Sequence, residues 1–247
     1  MRSPLLLLFG ALLLAPSAVL AQDDDWEDED DYEYHDRRPT GGFFGGSLTF
    51  AEPRGEFAQY VDWGAGGELN YVHRLDRDGW FALRVDGGFL MYGHERQRVP
   101  LSETIGGRIL VDLETSNNIA FIGIGPQIGV PDGRIRPYAN AYVGYSYLFT
   151  QSSVEGTAYD EEFAATTNFD DWTPAHGFGA GIYVPLRGGH QPISLDIGVK
   201  YRNSGVAEYL REGDIQDNED GTITLFPVRS DTDLMTFHIG FSVGLSR

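Results

Sequence analysis

Side chains able to share a proton in covalent catalysis are few in this chain of 247 residues. The candidates are Ser102, Ser152, Ser153, His94, His176 and His190. None sits in a Gly-x-Ser-x-Gly turn or a His-Glu-x-x-His helix, and no Ser and His fall close together on one strand face. His94-Glu95 reads as a surface dipeptide. With no cysteine there is no thiolate nucleophile, thiolate zinc site or disulfide framework. The sequence therefore predicts no enzyme, no metal and no cofactor. With 37 acids against 18 bases, a formal charge of −19, it also predicts no nucleic-acid partner, which would require a basic face.

The remaining charged residues fall into three groups. Asp160, Glu161, Glu162, Asp170 and Asp171, then Glu208, Glu212, Asp214, Asp217, Glu219 and Asp220, form acidic clusters that read as solvated loops. All the basic residues but Lys200 are arginines. Arg54, Arg96, Arg98 and Arg108 could grip lipid phosphates, but the same bias throughout the chain points to base composition instead. The third group, Glu68, Arg74, Arg84, Asp86, Asp196, Lys200, Arg202 and His238, lies at alternate positions within otherwise apolar segments. Such charges must share an enclosed polar space and pair with one another, because an unpaired buried charge is costly.

That placement depends on strands. From residue 41 onward no apolar stripe at helical spacing occurs, whereas period-2 alternation recurs in segments of about ten residues. Phe81, Leu83, Val85, Gly87, Phe89 and Met91 alternate with Ala82, Arg84, Asp86, Gly88, Leu90 and Tyr92. Ile193, Leu195, Ile197, Val199 and Tyr201 alternate with Ser194, Asp196, Gly198, Lys200 and Arg202. Phe237, Ile239, Phe241, Val243 and Leu245 alternate with Thr236, His238, Gly240, Ser242 and Gly244. Segments of about 9 to 11 residues, with aromatic residues toward their ends (Tyr138, Tyr145, Tyr147, Phe149), suit a bilayer-crossing barrel with a narrow polar lumen.

The connections give the topology. Short turns at 75–79, 131–134 and 186–191 alternate with long links at about 52–62, 93–118, 150–171 and 203–233. This predicts an all-β, eight-stranded antiparallel up-and-down transmembrane barrel with periplasmic termini and short periplasmic turns. The predicted strands are 42–51, 63–75, 79–92, 119–130, 137–149, 173–185, 192–202 and 234–245. Gly107 to Glu114 also alternates and reads as an extracellular strand extension. Ten strands are the alternative, with Thr222 to Phe226 as the extra candidate.

The first 40 residues differ. Arg2, an apolar run from Leu5 to Leu14, and Val19 and Ala21 at the −3 and −1 positions form a secretory signal peptide over 1–21. Residues 22–40 carry ten acids between Asp23 and Asp36 and read as a disordered acidic tail. The barrel then occupies 41–247.

On its alternating strands and its last segment, His238-Ile239-Gly240-Phe241-Ser242-Val243-Gly244-Leu245, the chain resembles the small bacterial outer-membrane β-barrels of the OmpA/OmpX-like superfamily. The resemblance covers roughly 40–247 and implies a cell outer-membrane location, with outer-membrane lipid and the barrel-assembly machinery as partners. It also implies an assembly signal built on Gly240, Phe241, Val243 and Leu245, although the chain ends in Ser246 and Arg247 rather than an aromatic residue. The combined expectation is a non-enzymatic envelope-structural or surface-contact barrel with a plugged or narrow lumen. A porin-like channel for a small solute is the second reading and a lipid-modifying enzyme at the rim the third.

The mature protein should begin near Gln22 and fractionate with outer membranes. Mass spectrometry finding an intact Met1 end, or recovery in the cytosol, contradicts this.

Overall fold

The computed structural model describes residues 41–100, 110–156, 162–189, 191–218 and 222–245; the segments expected as signal peptide and acidic tail, with Ser102, Arg108, Asp160, Glu161, His190, Glu219, Asp220 and the last two residues, lie outside them. Among the described residues twelve strands follow in chain order: β1 (Gly42–Pro53), β2 (Gly64–Arg74), β3 (Phe81–Pro100), β4 (Leu110–Gly129), β5 (Arg136–Gly156), β6 (Glu162–Arg187), β7 (Ile193–Ser204), β8 (Val206–Tyr209), β9 (Ile215–Asp217), β10 (Ile223–Leu225), β11 (Val228–Asp231) and β12 (Leu234–Gly244). β1 to β7 and β12 close a barrel in the order β1-β12-β7-β6-β5-β4-β3-β2. The expected eight strands are therefore the eight that close. The ten-strand alternative is overturned: the Thr222–Phe226 segment forms β10, which pairs with β9 outside the barrel.

Pairing fixes the barrel's width. Successive partners lead from Arg74 through Ala82, Gln127, Asn140, Gly179, Lys200, Thr236 and Ala51 back to β2 at Gly64, a stagger of ten residues. Eight strands at this stagger enclose a space that side chains can fill. Large rings do so by lying over glycines. A Cβ on Gly177 would stand 2.6 Å from the Tyr142 hydroxyl, and one on Gly181 would stand 2.5 Å from that of Tyr138.

The facing follows the alternation. Arg84, Asp86, Asp196, Lys200, Arg202 and His238 point inward and are buried, while Phe81, Leu83, Ile197, Phe237, Ile239 and Phe241 are exposed. This belt continues around the outside through Leu48, Leu69, Ile122, Ile124, Val143 and Phe178. In water such an apolar exterior would aggregate; in a bilayer it is the solvated surface. Ring stacks edge the belt: Phe50 on Trp63 at 6.1 Å, and Tyr147 on Trp172 at 4.4 Å.

One expectation needs correction. The links at 93–118 and 150–171 are not open loops: β3 and β4 have 20 residues each, β5 has 21 and β6 has 26, roughly twice what crossing a bilayer takes. Their outer halves continue the ladder past the barrel mouth. The β2–β3 pairing ends at Ala65–Met91 and the β6–β7 pairing at Ala175–Ser204, whereas β3–β4 pairing runs on to Pro100–Leu110. The Gly107–Glu114 extension is present from Leu110 onward.

At the opposite end Asp76 closes the β2–β3 turn by accepting hydrogen bonds from the amides of Phe81 (2.8 Å) and Trp80 (3.0 Å). These donors, Phe81 foremost, hold its carboxyl below the usual 3.8. A carboxyl depressed in the folded state stabilises above its unfolded value and stops doing so as pH falls through the folded one.

Two outcomes follow. Amide exchange at Trp80 and Phe81 should accelerate as pH drops below about 4, after correction for intrinsic rates; a pH-independent protection factor contradicts it. Ile197→Arg, placing a charge on the lipid face, should cost about 2 to 4 kcal/mol in urea unfolding from bilayers, and parental stability would reverse the assigned facing.

Candidate functional site

The lumen is the only place in the spanning region where the described strands gather charge. β2 contributes Glu68, β3 Arg84 and Asp86, β7 Asp196, Lys200 and Arg202, and β12 His238, each no more than 4% exposed. The short side chains and glycines between them leave room for long ones to cross the barrel. Arg84 Nε lies 2.7 Å from Asp86 Oδ1, and its Nη2 lies 3.5 Å from Glu68 Oε1. Lys200 Nζ donates to Glu68 and lies 3.0 Å from Asp86 Oδ1. Arg84 Nη1 is 3.9 Å from Asp196 Oδ2 and donates to the Tyr183 hydroxyl at 3.1 Å.

Asp196 joins this cluster to β12. It accepts the Tyr138 hydroxyl at 2.7 Å and lies 3.6 Å from His238 Nε2, which is itself 3.1 Å from that hydroxyl. The structure thus brings together six of the eight lumen residues singled out in the sequence. The seventh, Arg202, forms no ion pair within the cluster: its guanidinium lies 4.0 Å from the Phe121 ring centroid and 5.2 Å from that of Tyr142, with Nε and Nη1 making no hydrogen bond. It brings the lumen to three carboxylates and three basic side chains besides His238. Arg74, also expected inward, lies at the periplasmic mouth over the Phe43 ring.

Above Arg202 the lumen turns apolar. Phe57, in a 3-10 turn between β1 and β2, and Ala207, Tyr209 and Leu210, between β7 and β12, are 0 to 1% exposed. Phe57, Ala207 and Tyr209 pack with Ala51, Leu90, Ile119, Phe121, Leu148 and Leu234. Phe57 meets Tyr209 edge-on at 5.1 Å and Tyr92 at 5.7 Å, and the Tyr92 hydroxyl donates to the Leu210 carbonyl. Asp233 fixes the root of this lid by accepting from Tyr201, Asn203 and the Ser204 amide. The sequence carries no local signal for the lid, because Phe57 and the adjacent pair Tyr209–Leu210 lie in two distant polar links.

The other candidates are dispersed. Ser152 Oγ bonds Thr115 and Asn168, and the His94 amide donates to Glu212. Arg96 and Arg98 bind Asp112 at 2.9 and 3.0 Å, and Arg54 binds Glu52 at 2.7 Å, so these guanidiniums already carry carboxylates. Arg98 and then Arg96 hold the Asp112 carboxyl below its ordinary value. Among the described residues no His, Asp and Glu group forms a metal cluster. Gly240, Phe241 and Val243 of the last segment lie on β12, with Leu245 just beyond it; Phe241 and Leu245 face outward, while Gly240 packs against the Gly46–Ser47 backbone.

A closed eight-stranded barrel with a lipid-facing apolar belt and a charged interior is an outer-membrane β-barrel protein, and the cell outer membrane is where it resides. No protein-family model matches the chain, and no curated protein does. Solved structures do. Ail, the attachment invasion locus protein of Yersinia pestis, is 11% identical over 83% of this chain and 99% of its own, with a TM-score of 0.42. Neisserial surface protein A is 12% identical over 84% and 97%, at 0.43, and a major outer membrane protein from Thermus thermophilus is 12% identical over 81% and 98%, at 0.40. The class assigned here rests on the barrel's own geometry.

Asp196→Ala strips Tyr138 of its acceptor and leaves the lumen with excess positive charge, so it should cost about 3 to 5 kcal/mol. Urea unfolding in detergent checks this; an unchanged midpoint and slope contradict it.

Proposed function

We propose that the protein is a non-enzymatic, non-conducting envelope barrel that serves as a rigid base for surface contact. The observation that supports this reading is the continuation of β3 to β6 beyond the mouth as one hydrogen-bonded sheet. A sheet rooted in a barrel loses little further conformational entropy when it meets a partner, which suits recognition. The space beneath it favours closure over transport: paired charges fill the middle of the lumen and the Phe57–Tyr209–Leu210 lid covers its outer end. Lumen charges select ions only along a continuous water path.

Purified protein in planar bilayers should give no discrete current steps. Trimming the β3–β4 and β5–β6 hairpins to the barrel mouth should leave a folded, heat-modifiable barrel but abolish the attachment of expressing cells to host-cell or matrix surfaces. Reproducible conductance steps in the untrimmed protein, or undiminished attachment by the trimmed one, overturns the proposal.

A further inference from the structure

Arg202 is the base that the ionic cluster of the lumen leaves out. Glu68, Asp86 and Asp196 each pair with Arg84 or Lys200, the longest contact being 3.9 Å, and none of these carboxylates pairs with Arg202. The residue is nonetheless 3% exposed. Gly177, the register partner of both Arg202 and Tyr142, clears the way for the guanidinium to reach the Tyr142 and Phe121 rings. Rings attract a guanidinium through their faces, whereas its N–H donors lie in its own plane. Nε and Nη1 are closed off from solvent and make no hydrogen bond, so the ring contacts leave these donors unmet.

Two hydroxyls lie one rung further out. Ser204 follows Arg202 on the same face of β7 and pairs with Ala175 on β6, while Ser146 on β5 pairs with Phe121 and Thr173. Both serines are 2% exposed, and neither Oγ makes a hydrogen bond. A guanidinium edge and two hydroxyls thus flank the small Ala175, beneath Tyr209 and Leu210 of the lid. Water could satisfy the hydrogen bonds there but not the buried charge, which calls for an anion. A dianion would exceed the single guanidinium, and the closed lid leaves no room for an organic tail, so the fitting ligand is small and monovalent.

An added anion unbalances a lumen in which three carboxylates already face three basic side chains. The side chain there suited to restore the balance near neutral pH is His238. Its Nδ1 makes no hydrogen bond, and its Nε2 lies 3.6 Å from Asp196 Oδ1 and 3.1 Å from the Tyr138 hydroxyl. The other charged groups of this layer are Lys200 on β7, Glu68 on β2 and Arg84 with Asp86 on β3. β1, paired with β12 at Thr49–His238, adds only the uncharged Ser47 and Thr49.

We infer that the outer half of the lumen binds a small monovalent anion of the halide class, held by Nε and Nη1 of Arg202 and the hydroxyls of Ser146 and Ser204, and that a proton on His238 accompanies it. The ion is taken in as the barrel folds or when the lid lifts, so it acts on stability and not on conduction. The site and the surface-contact reading are independent, and either can fail without the other.

The test is reversible urea unfolding of the full-length mature protein in detergent, with sodium chloride replaced stepwise by sodium gluconate at constant ionic strength. A ligand of the folded state raises the midpoint with the logarithm of its concentration. Chloride and bromide should do so, more steeply at about pH 5 than at about pH 8, either side of the ordinary histidine range. Arg202→Met should abolish the halide dependence, Arg202→Lys should keep part of it, and Ser146→Ala with Ser204→Ala should weaken the apparent affinity several-fold. His238→Gln should remove the steepening in acid. Crystals of the parent grown in bromide, which need no variant to fold, should show anomalous scattering beside the Arg202 guanidinium. A midpoint indifferent to chloride at both pH values, an undiminished halide dependence in Arg202→Met, or bromide found only on the surface each overturns the inference. A halide dependence equal at both pH values, or unchanged acid steepening in His238→Gln, overturns the part given to the proton.

Discussion

Inside a bilayer-spanning barrel too narrow for bulk water, a charge must meet its opposite, and this requirement organises the chain. Asp86 lies between Arg84 and Lys200, and Glu68 receives Lys200 while facing Arg84. The pairs bridge strands distant in sequence: Lys200 and Glu68 are 132 residues apart, and their attraction links β7 to β2 across the lumen. Desolvation of each ion costs several kcal/mol, so the cluster stabilises only as a complete set. The same requirement explains why tyrosine hydroxyls and Gln127 accompany it, as they supply hydrogen bonds that the ion pairs leave unmade, although Arg84 Nη2, Asp196 Oδ2 and His238 Nδ1 make none. It also explains the glycines opposite the rings, without which Tyr138 and Tyr142 could not lie flat across the barrel.

The remaining architecture follows in layers along the axis. A small cup at the periplasmic end gives way to the ionic cluster, then to Arg202 stacked on Phe121 and Tyr142, then to the apolar lid. Arg202 stands at the boundary between charged and apolar filling. Its guanidinium is satisfied on its faces by aromatic quadrupoles and balances the carboxylates below through the overall charge of the lumen. Closure on one side and hollowness on the other give the two ends different capacities: a protruding sheet outside, a recess inside.

The amino-acid pattern carried the parts of this account that lipid enforces. Ile197 and Phe241 have to face acyl chains and Asp196 and Lys200 have to avoid them, so facing and strand number could be read from period-2 alternation. Beyond the mouth that pressure disappears. Thr115, Ser116, Gln151 and Thr166 have no lipid-facing side, alternation fades, and the pairing that prolongs β3 to β6 is inherited from the neighbouring strand rather than encoded in a local period. The lid was illegible for a related reason: Phe57 and Leu210 acquire meaning only once the barrel brings their two links over the same opening. Individual partners inside the lumen were likewise hidden, since alternation says that Arg202 points inward but not that rings, rather than a carboxylate, await it.

The central claim is that the lumen ions form one interdependent set. A double-mutant cycle between Glu68 and Lys200, with Glu68→Gln, Lys200→Met and the double variant unfolded by urea in lipid vesicles, tests it most directly. The account predicts strong coupling, with the double variant losing clearly less stability than the two single losses combined, because each single change strands a charge that the double change removes. Additive losses would contradict it and would mean that the two side chains are separately hydrated within an open lumen.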